Sequence, residues 1–336
     1  MRAITYDQQG PATEVLRLAE QAPPAAPAAG HVVVRVMSRP IHPGDLVGVE
    51  GLTGIPRQRH NSPVSPGLEG MGVIEAVGEG VTALHVGQRV AFFPVPGAWS
   101  ESVTVPAEFA VPVPDGVSDN TAALMLVNPL TLLMLTRAVR QASASTAGGP
   151  VLQSAAGSTI GKLVNAAAKR DGFPLINLVR SDSGARALQA RFPEHLTVSS
   201  ARPGWRTQVR EAAGNRGVPV VLDAVGGSLT RDLTSLMADG GTLIRYGMLG
   251  SGSTGLESLA LVPRELTIRG VSVGRWLSRT PQERAKDVAF AARLAETDPD
   301  LFEVAGTYDL ADYAAAIAHV RRPGKSGTVL LTSSAW

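Results

Sequence analysis

Runs of β-branched and apolar residues dominate the first part of the chain. The segment HVVVRVMSRPI at 31–41 is one such run, and GMGVIEAVGEGV at 70–81 alternates before a glycine turn. Residues 87–106 have the pattern of two strands joined by a loop, and residues 21–30 that of a surface loop. Glycines and prolines punctuate these runs, as at the corners of a small barrel or partly open β domain. We therefore expect residues 1–120 to be built from strands.

The pattern becomes helical near residue 120. Apolar residues recur at helical spacing over 120–141, and the Asn128-Pro129 pair predicts the end of one helix and the first turn of the next. Strand patterns then alternate with helices, at 150–154, 175–180, 218–224 and 241–247. This alternation predicts an α/β fold with a doubly wound parallel sheet. A helix is expected at 285–297, and a helix, a turn and a closing strand at 309–332.

Composition and charge argue against several classes of function. A chain of 336 residues is long enough for two domains. The net charge is +2 and no dense basic run occurs, so we expect no nucleic-acid partner. Without cysteine, the chain forms no disulfide, thiolate nucleophile or cysteine-ligated metal site. No leader pattern and no apolar run of about 18 residues occurs, so we expect a cytoplasmic protein without membrane contact.

A glycine turn follows the strand predicted at 150–154, in the segment VLQSAAGSTIG. A strand, a glycine turn and a helix N-terminus together form a dinucleotide site, because the backbone can approach the pyrophosphate and the helix amides hold its charge. Gly157 and Gly161 are spaced for this role. The alternative is a turn that only packs the helix on the sheet. The expected cofactor contacts are Ala156, Gly157, Ser158, Thr159 and Ile160.

An arginine ends the next predicted strand, where NAD-binding proteins usually carry an acid. An acid binds the ribose 2′-hydroxyl of NAD and repels the 2′-phosphate of NADP. The guanidinium group of Arg180 can instead form charge-assisted, bidentate hydrogen bonds with that phosphate. Ser181 can add a hydroxyl, and Asp182 is an acid close enough to oppose the assignment. The alternative is a solvated surface arginine. We expect NADPH as the cofactor.

Two further strands, in VLDAVGG and GGTLIRYGMLG, end in glycine turns at the same edge of the predicted sheet. Ligands of doubly wound sheets bind outside the carboxyl ends of the strands. Val225, Tyr246, Gly247 and Met248 are therefore expected to border the nicotinamide half of the cofactor.

Several of these segments together resemble the medium-chain dehydrogenase/reductase superfamily. They are AAGSTIG, VNPLT at 127–131, DAVGG, GGTLIRYG and LTIRGVSVGRW at 266–276. The AAGSTIG loop is similar to the AANSAVG-like loop of the 2-enoyl thioester reductase branch, and one residue longer than the AAGGVG-like loop of many quinone reductases. The segment that ends at Trp276 points to the same branch.

The resemblance implies a GroES-like substrate domain at 1–122, a Rossmann NADPH-binding domain at 123–290 and a C-terminal segment at 291–336 that completes the first domain. It places the active site in the cleft, with Trp276 as a wall. Asn128, Thr131 and Lys325 complete the expected cofactor contacts. Zinc-dependent members hold their metal with a cysteine and a GHE motif. Here that motif reads GLEG, with Leu68 at the histidine position, so we expect no metal site.

Without zinc, no Lewis acid polarises a carbonyl, and hydride transfer is best directed at an activated C=C bond. The related enoyl reductases carry a tyrosine in the loop after an NPSD-like motif. In this chain His42 occupies the asparagine position, and Leu52 or Thr53 the tyrosine position. Thr53, His42 and His60 are the candidates for the vacant role, because a histidine titrates near neutrality and can donate.

The sequence as a whole therefore predicts an NADPH-dependent reductase of small-molecule enoyl thioesters, enones or quinones, most like a 2-enoyl thioester reductase. An NADPH:quinone or enone oxidoreductase is the close alternative, favoured by the missing tyrosine. A protein that binds NADPH without turnover is the remote one. The strand expected at 266–273 can pair with its copy across a two-fold axis, which predicts a homodimer.

Overall fold

The computed structural model describes residues 1–51, 55–144, 148–250, 252–255 and 258–333. Within these ranges the chain divides into two compact units. The first unit comprises residues 1–129 together with the segment that begins at Pro281, and the second comprises Leu130–Thr280. The C-terminal segment therefore returns to the unit in which the chain begins.

The N-terminal part of the first unit is mostly strand. Its strands are β1 (Arg2–Gln8), β2 (Arg17–Glu20), β3 (His31–Pro40), β4 (Arg59–Val64), β5 (Gly70–Val77), β6 (Arg89–Phe92), β7 (Ser102–Pro106) and β8 (Ala110–Pro112). Its helices are α1 (Ala12–Val15), α2 (Pro43–Glu50) and α3 (Asp119–Ala122), and α4 (Val127–Ala144) begins here. The predicted strands at 31–41, 70–81 and 87–106 are confirmed, and so is the first helical turn at Pro129.

The expectation that residues 1–120 contain strands alone is wrong, because α2 follows β3 directly. Pro43 occupies the first position of this helix, where its missing N–H costs nothing. Asp45 Oδ2 accepts a hydrogen bond of 2.8 Å from the backbone N–H of His42, which fixes the start of the helix. Its buried face carries Leu46 and Val49.

The second unit alternates strands and helices, as predicted. Its strands are β9 (Val151–Gln153), β10 (Leu175–Val179), β11 (Leu196–Ser199), β12 (Val218–Asp223), β13 (Met237–Arg245) and β14 (Thr267–Gly270). Its further helices are α5 (Thr159–Asp171), α6 (Asp182–Arg191), α7 (Trp205–Ala213) and α8 (Leu229–Ser235). The C-terminal segment then adds α9 (Pro281–Thr297), β15 (Val304–Asp309), α10 (Tyr313–Val320) and β16 (Thr328–Thr332) to the first unit.

The main sheet of the first unit has the order β15-β16-β3-β5-β6-β8, and β7 pairs with β3. The C-terminal strand β16 lies antiparallel to β3, so the end of the chain completes this sheet. Arg39 ties these parts together, because its guanidinium donates to the carbonyl of Ser100 at 2.9 Å and to Ser333 Oγ at 2.6 Å. Burial lowers the pKa of Arg39 to about 9, so the side chain stays charged at neutral pH.

The sheet of the second unit is parallel throughout, in the order β11-β10-β9-β12-β13-β14. Numbered within the unit this order is 3-2-1-4-5-6, the order of doubly wound dinucleotide-binding sheets. Every residue of β12 is buried, as expected of a central strand with both faces covered. The predicted α/β class with a β-rich companion unit is confirmed. The strand order reverses between β9 and β12, which places the ligand crevice at their carboxyl ends.

A buried cluster of side-chain amides fixes α5 against this sheet. Asn165 of α5 and Asn177 of β10 exchange hydrogen bonds of 2.8 and 3.1 Å through their amides. Gln153 of β9 donates to Asn177 Oδ1 at 2.6 Å and to the Gly161 carbonyl at 3.1 Å. The first turn of α5 is therefore held by Gln153 of β9, and its second turn by Asn177 of β10.

Candidate functional site

The carboxyl ends of β9 and β12 are joined by one buried carboxylate. Asp223 Oδ1 accepts hydrogen bonds from Ser154 Oγ at 2.9 Å and from the backbone N–H groups of Val225 and Gly226 at 2.9 and 3.1 Å. Its Oδ2 accepts from Thr230 Oγ1 at 2.9 Å. Val225, an expected cofactor contact, is therefore held in a fixed turn at the point where the strand order reverses.

The two glycines of the turn after β9 differ in how much space surrounds them. A methyl group at position 161 would collide with the backbone of Ala156, so Gly161 is required by the packing of α5 on its own turn. A methyl group at position 157 would have Val179 Cγ1 as its nearest neighbour, at 3.9 Å. Because the fold does not need a glycine at position 157, the open space there suits the close approach of a ligand.

The helix that follows this turn has a regular N-cap. Ser158 Oγ accepts a hydrogen bond of 3.1 Å from the backbone N–H of Gly161, and α5 then runs from Thr159. Residues 157–160 are half-buried and thus accessible, whereas Ala156 is fully buried. The N-terminus of a helix of this length carries amide donors and a partial positive charge, which together suit a pyrophosphate.

The residue directly after β10 is an exposed arginine rather than an acid. Arg180 is exposed, and among the described residues it makes no hydrogen bond or ion pair. Ser181 caps α6 by accepting a hydrogen bond of 3.1 Å from Gly184 N. Asp182 pairs with Arg202 at 2.8 Å, and hydrogen bonds from Ser199 and Arg202 lower the pKa of its carboxyl group. The charge of Asp182 is thus compensated by Arg202. Asp182 would therefore repel a phosphate group beside Arg180 less strongly.

The turn after β13 lies along the turn after β12. Tyr246 N donates to the Asp223 carbonyl at 3.0 Å, and Leu249 N donates to the Ala224 carbonyl at 3.0 Å. The Tyr246 hydroxyl is buried and has no hydrogen-bond partner in the described part of the chain. Burial raises the pKa of this hydroxyl, and the negative charge of Asp223 adds to the effect, so it is protonated at neutral pH. Met248 is half exposed beside it.

The structure thus brings together, within the second unit, the predicted contacts of three adjacent turns: 156–160, Val225, and 246–248. Arg180 and Ser181 lie at the end of the neighbouring strand β10. Thr131 is half-buried in α4, and Trp276 is buried in the 3-10 turn Val273–Ser278.

Other predicted residues belong to the first unit or fall outside the described residues. Lys325 lies in the turn between α10 and β16, where its ammonium group donates to the Gly327 carbonyl. Asn128 is buried in the first turn of α4, and its Nδ2 has no partner among the described residues. Thr53 lies outside the described residues.

His42 and Glu69 form a buried pair in the first unit. His42 Nε2 lies 2.6 Å from Glu69 Oε2, and the side chain of Glu69 is fully buried. Glu69 Oε1 accepts from the backbone N–H groups of Leu126 and Val127 at 2.9 and 2.7 Å, at the N-terminus of α4. Burial lowers the pKa of His42, but the hydrogen bond to Glu69 and the negative charges of Glu69 and Asp45 outweigh it, so the pKa is raised overall.

Glu69 is the site residue that the sequence did not predict. It was visible only as a neighbour of Leu68 in the segment GLEG. A carboxylate flanked by Leu68 and Gly70 would be a signal once it is known to be buried, because it requires donors that the local sequence does not supply. His60, another candidate, stacks edge-on against Tyr6 with ring centroids 5.3 Å apart, and its Nε2 is buried without a partner among the described residues.

Two general properties of the described residues bear on the class of site. No group of three or more His, Cys, Asp or Glu side chains is placed there to hold a metal ion. No helix in the described ranges is both long enough and apolar enough to cross a bilayer.

Comparison with known proteins identifies the family. Residues 28–115 match the model of the alcohol dehydrogenase GroES-like domain, and residues 159–293 match that of the zinc-binding dehydrogenases. The chain belongs to the medium-chain dehydrogenase/reductase superfamily, as the resemblance implied.

Named relatives include two mitochondrial enoyl-[acyl-carrier-protein] reductases. The one from Caenorhabditis elegans is 27% identical over 82% of this chain and 79% of its own, and the human one is 26% identical over 99% and 88%. Among solved structures, a Pseudomonas syringae quinone oxidoreductase is 27% identical with a TM-score of 0.81, covering 98% of this chain and 99% of its own. A mycobacterial protein solved in complex with NADPH is 27% identical with a TM-score of 0.84, covering 99% and 100%.

The two glycines of the turn after β9 are expected to respond differently to alanine. Alanine at a helix position normally stabilises by about 1 kcal/mol relative to glycine. We expect Gly161→Ala instead to lower the free energy of unfolding by about 1–3 kcal/mol, because of the collision with Ala156. Gly157→Ala, the matched control, should change it by less than about 0.5 kcal/mol. Urea denaturation measures both, and a Gly161→Ala variant as stable as wild type would contradict the packing role.

Proposed function

We propose that the protein is a zinc-independent, NADPH-dependent reductase of activated C=C bonds, with enoyl thioesters as its first substrate class. The observation that carries the cofactor assignment is the end of β10, where Arg180 is exposed and without a partner among the described residues. A guanidinium group in this position suits the 2′-phosphate that distinguishes NADPH from NADH. The mycobacterial relative in complex with NADPH supports this assignment.

The residues of the second unit fit such a cofactor. The N-terminus of α5, capped by Ser158, suits the pyrophosphate, and the open space at Gly157 lets the backbone approach it. Arg180 and Ser181 would hold the 2′-phosphate. The turns at Val225 and at 246–248 would hold the nicotinamide half, with the unpartnered hydroxyl of Tyr246 as a donor. NADPH, when bound, supplies a hydride to the acceptor.

The case against a zinc enzyme rests on the donor set. The chain has no cysteine, and Leu68 occupies the position of the motif histidine. A C=C bond conjugated to a carbonyl accepts a hydride without a Lewis acid when donors stabilise the enolate oxygen. The proposal therefore needs hydrogen-bond donors in the place of a metal ion.

Two acceptor classes remain, each with an observation in its favour. The longer AAGSTIG loop and the enoyl reductases among the relatives favour enoyl thioesters. The absence of a tyrosine between Tyr6 and Tyr246, and the Pseudomonas syringae relative, favour quinones or enones. Both classes accept a hydride at a conjugated carbon, so the same cofactor site serves either one.

NADPH oxidation tests this function directly. The purified protein should oxidise NADPH in the presence of crotonyl-CoA or a longer enoyl-CoA, and more slowly with a simple quinone or a cyclic enone. Faster turnover of the quinone or enone would select the second class. Binding of NADPH without oxidation over the whole set would identify a cofactor-binding protein without turnover. A zinc chelator should leave the rates unchanged, because no thiolate ligand exists.

Replacement of Arg180 tests the cofactor assignment. Arg180→Ala should weaken NADPH binding about 10- to 100-fold, since one charge-assisted contact is worth about 1.5–3 kcal/mol, and leave NADH binding unchanged. Arg210→Ala is the control, because Arg210 is also exposed and without a partner among the described residues, and lies in the last turn of α7. Fluorescence titration measures both affinities. Equal weakening of NADPH and NADH would contradict a contact with the 2′-phosphate.

We further propose that the protein acts in the cytoplasm as a homodimer, with β14 as the contact. This strand is exposed along its length and pairs with β13 on one side, which leaves a sheet edge. Leu259 and Val262, which precede it in the chain, are 81% and 72% exposed. A second copy of the chain related by a two-fold axis would pair with this edge and cover them.

Lysine substitutions on the two edge strands of the second unit's sheet test the dimer. Ile268 on β14 and Leu196 on β11 are 42% and 41% exposed, and β11 is at the opposite end of the strand order. Ile268→Lys should halve the molar mass measured by light scattering at micromolar concentration, because it places a charge in the contact. Leu196→Lys should leave the dimer intact. A wild-type protein that is already a monomer would contradict the proposal.

A further inference from the structure

We propose that Arg202 is a second residue of the site for the 2′-phosphate of NADPH, and that Asp182 positions its guanidinium group. This inference rests on the proposed function, because it concerns the cofactor that the proposed reductase would use. It reverses the expected role of Asp182, an acid that by itself would oppose a phosphate. All of the residues concerned lie in the second unit.

The turn that carries Arg202 is tied to the end of β10. Ser199, the last residue of β11, is the register partner of Val179, the last residue of β10. Ser200 N donates to the Val179 carbonyl at 2.8 Å, so the pairing continues one residue beyond β11. Arg202 N then donates to the Ser199 carbonyl at 3.2 Å and closes the turn. Arg202 therefore lies at the same sheet edge as Arg180, which follows β10 directly.

The ion pair holds one edge of the Arg202 guanidinium and leaves the other edge available. Nε donates to Asp182 Oδ1 at 2.8 Å. Neither Nη atom makes a hydrogen bond to another described residue, and 53% of the side chain is exposed. The two Nη groups can donate to two oxygens of one phosphate, which is the bidentate contact that arginine favours.

The charge of Asp182 is more than balanced by the described residues around it. Its carboxylate accepts hydrogen bonds from Arg202 and from the Ser199 hydroxyl, and the positive charge of Arg186, one turn further along α6, also acts on it. Arg186 and Arg180 are both exposed and make no ion pair with another described residue. Three guanidinium groups and one carboxylate therefore lie near the ends of β10 and β11, and the excess positive charge suits an anion.

Replacement of the acid separates two roles that predict opposite effects. If Asp182 positions Arg202, Asp182→Asn should weaken NADPH binding about 3- to 10-fold, because a neutral amide holds the guanidinium less firmly. If Asp182 only repels the phosphate, the loss of its charge should instead tighten NADPH binding. Under the proposal the affinity for NADH stays unchanged, since NADH lacks that phosphate.

Replacement of the arginine completes a double-mutant cycle. Arg202→Ala should weaken NADPH binding about 10-fold and leave NADH binding unchanged, because a charge-assisted contact with the phosphate is lost. In the Arg202→Ala background the effect of Asp182→Asn should change sign, since only the repulsion remains. Arg202→Lys keeps the charge but loses the bidentate contact, so its NADPH affinity should lie between those of wild type and Arg202→Ala.

Arg140→Ala is the matched control, because Arg140 forms an equally short ion pair in the same unit. It contacts Asp171 at 2.8 Å with 67% of its own side chain exposed, and Asp171 ends α5 far from the dinucleotide turn at which that helix begins. This variant should leave the affinities for NADPH and NADH unchanged.

Fluorescence titration with NADPH and NADH measures every variant without turnover, and thermal denaturation checks that each is folded. The replaced side chains are exposed, so their loss should cost little stability. An Arg202→Ala variant that keeps the wild-type preference for NADPH, or an Asp182→Asn variant that binds NADPH more tightly, would overturn this inference and leave the Arg180 assignment in place. A wild-type protein that binds NADPH no better than NADH would overturn the cofactor assignment and this inference together.

Discussion

The hydrogen bonds to the Asp223 carboxylate are the interaction on which the cofactor half of this structure depends. A doubly wound sheet opens a crevice where its strand order reverses, here between β9 and β12. Asp223 closes the base of that crevice, because it binds Ser154 from one strand end and the amides of Val225 and Gly226 from the other. Its main-chain carbonyl also holds Tyr246 N. The position of three turns is thus set by a residue that the cofactor need not touch.

The parts of the fold that follow from short-range patterns could be predicted from the sequence. Strand β12 reads VPVVLD and is buried on both faces, so a continuous apolar run was a sufficient signal. Helix α2 could not be predicted in this way, because PGDLVGVE combines two glycines and two valines, which are poor helix formers. Its formation depends on the cap at its start and on the burial of Leu46 and Val49 in the core of the first unit.

The turns of the candidate site could be predicted from the sequence. The side-chain pairs between residues far apart in the chain could not. The glycine turn, Arg180 and the 246–248 turn follow strands directly, so their place at one sheet edge follows from the topology. The pairing of Asp182 with Arg202 joins residues 20 positions apart, and that of His42 with Glu69 joins residues 27 apart. No local pattern encodes either contact, because the partners lie far apart in the chain.

In the segment GLEG the carboxylate of Glu69 is retained, although Leu68 stands in place of the motif histidine beside it. Leu68, at the motif histidine position, is 44% exposed, whereas Glu69 is buried. A buried carboxylate is costly unless donors surround it. Leu126 N, Val127 N and His42 Nε2 provide three such donors, which balance Glu69 without a metal ion. The same three contacts that make Glu69 tolerable also hold the imidazole of His42 in one orientation.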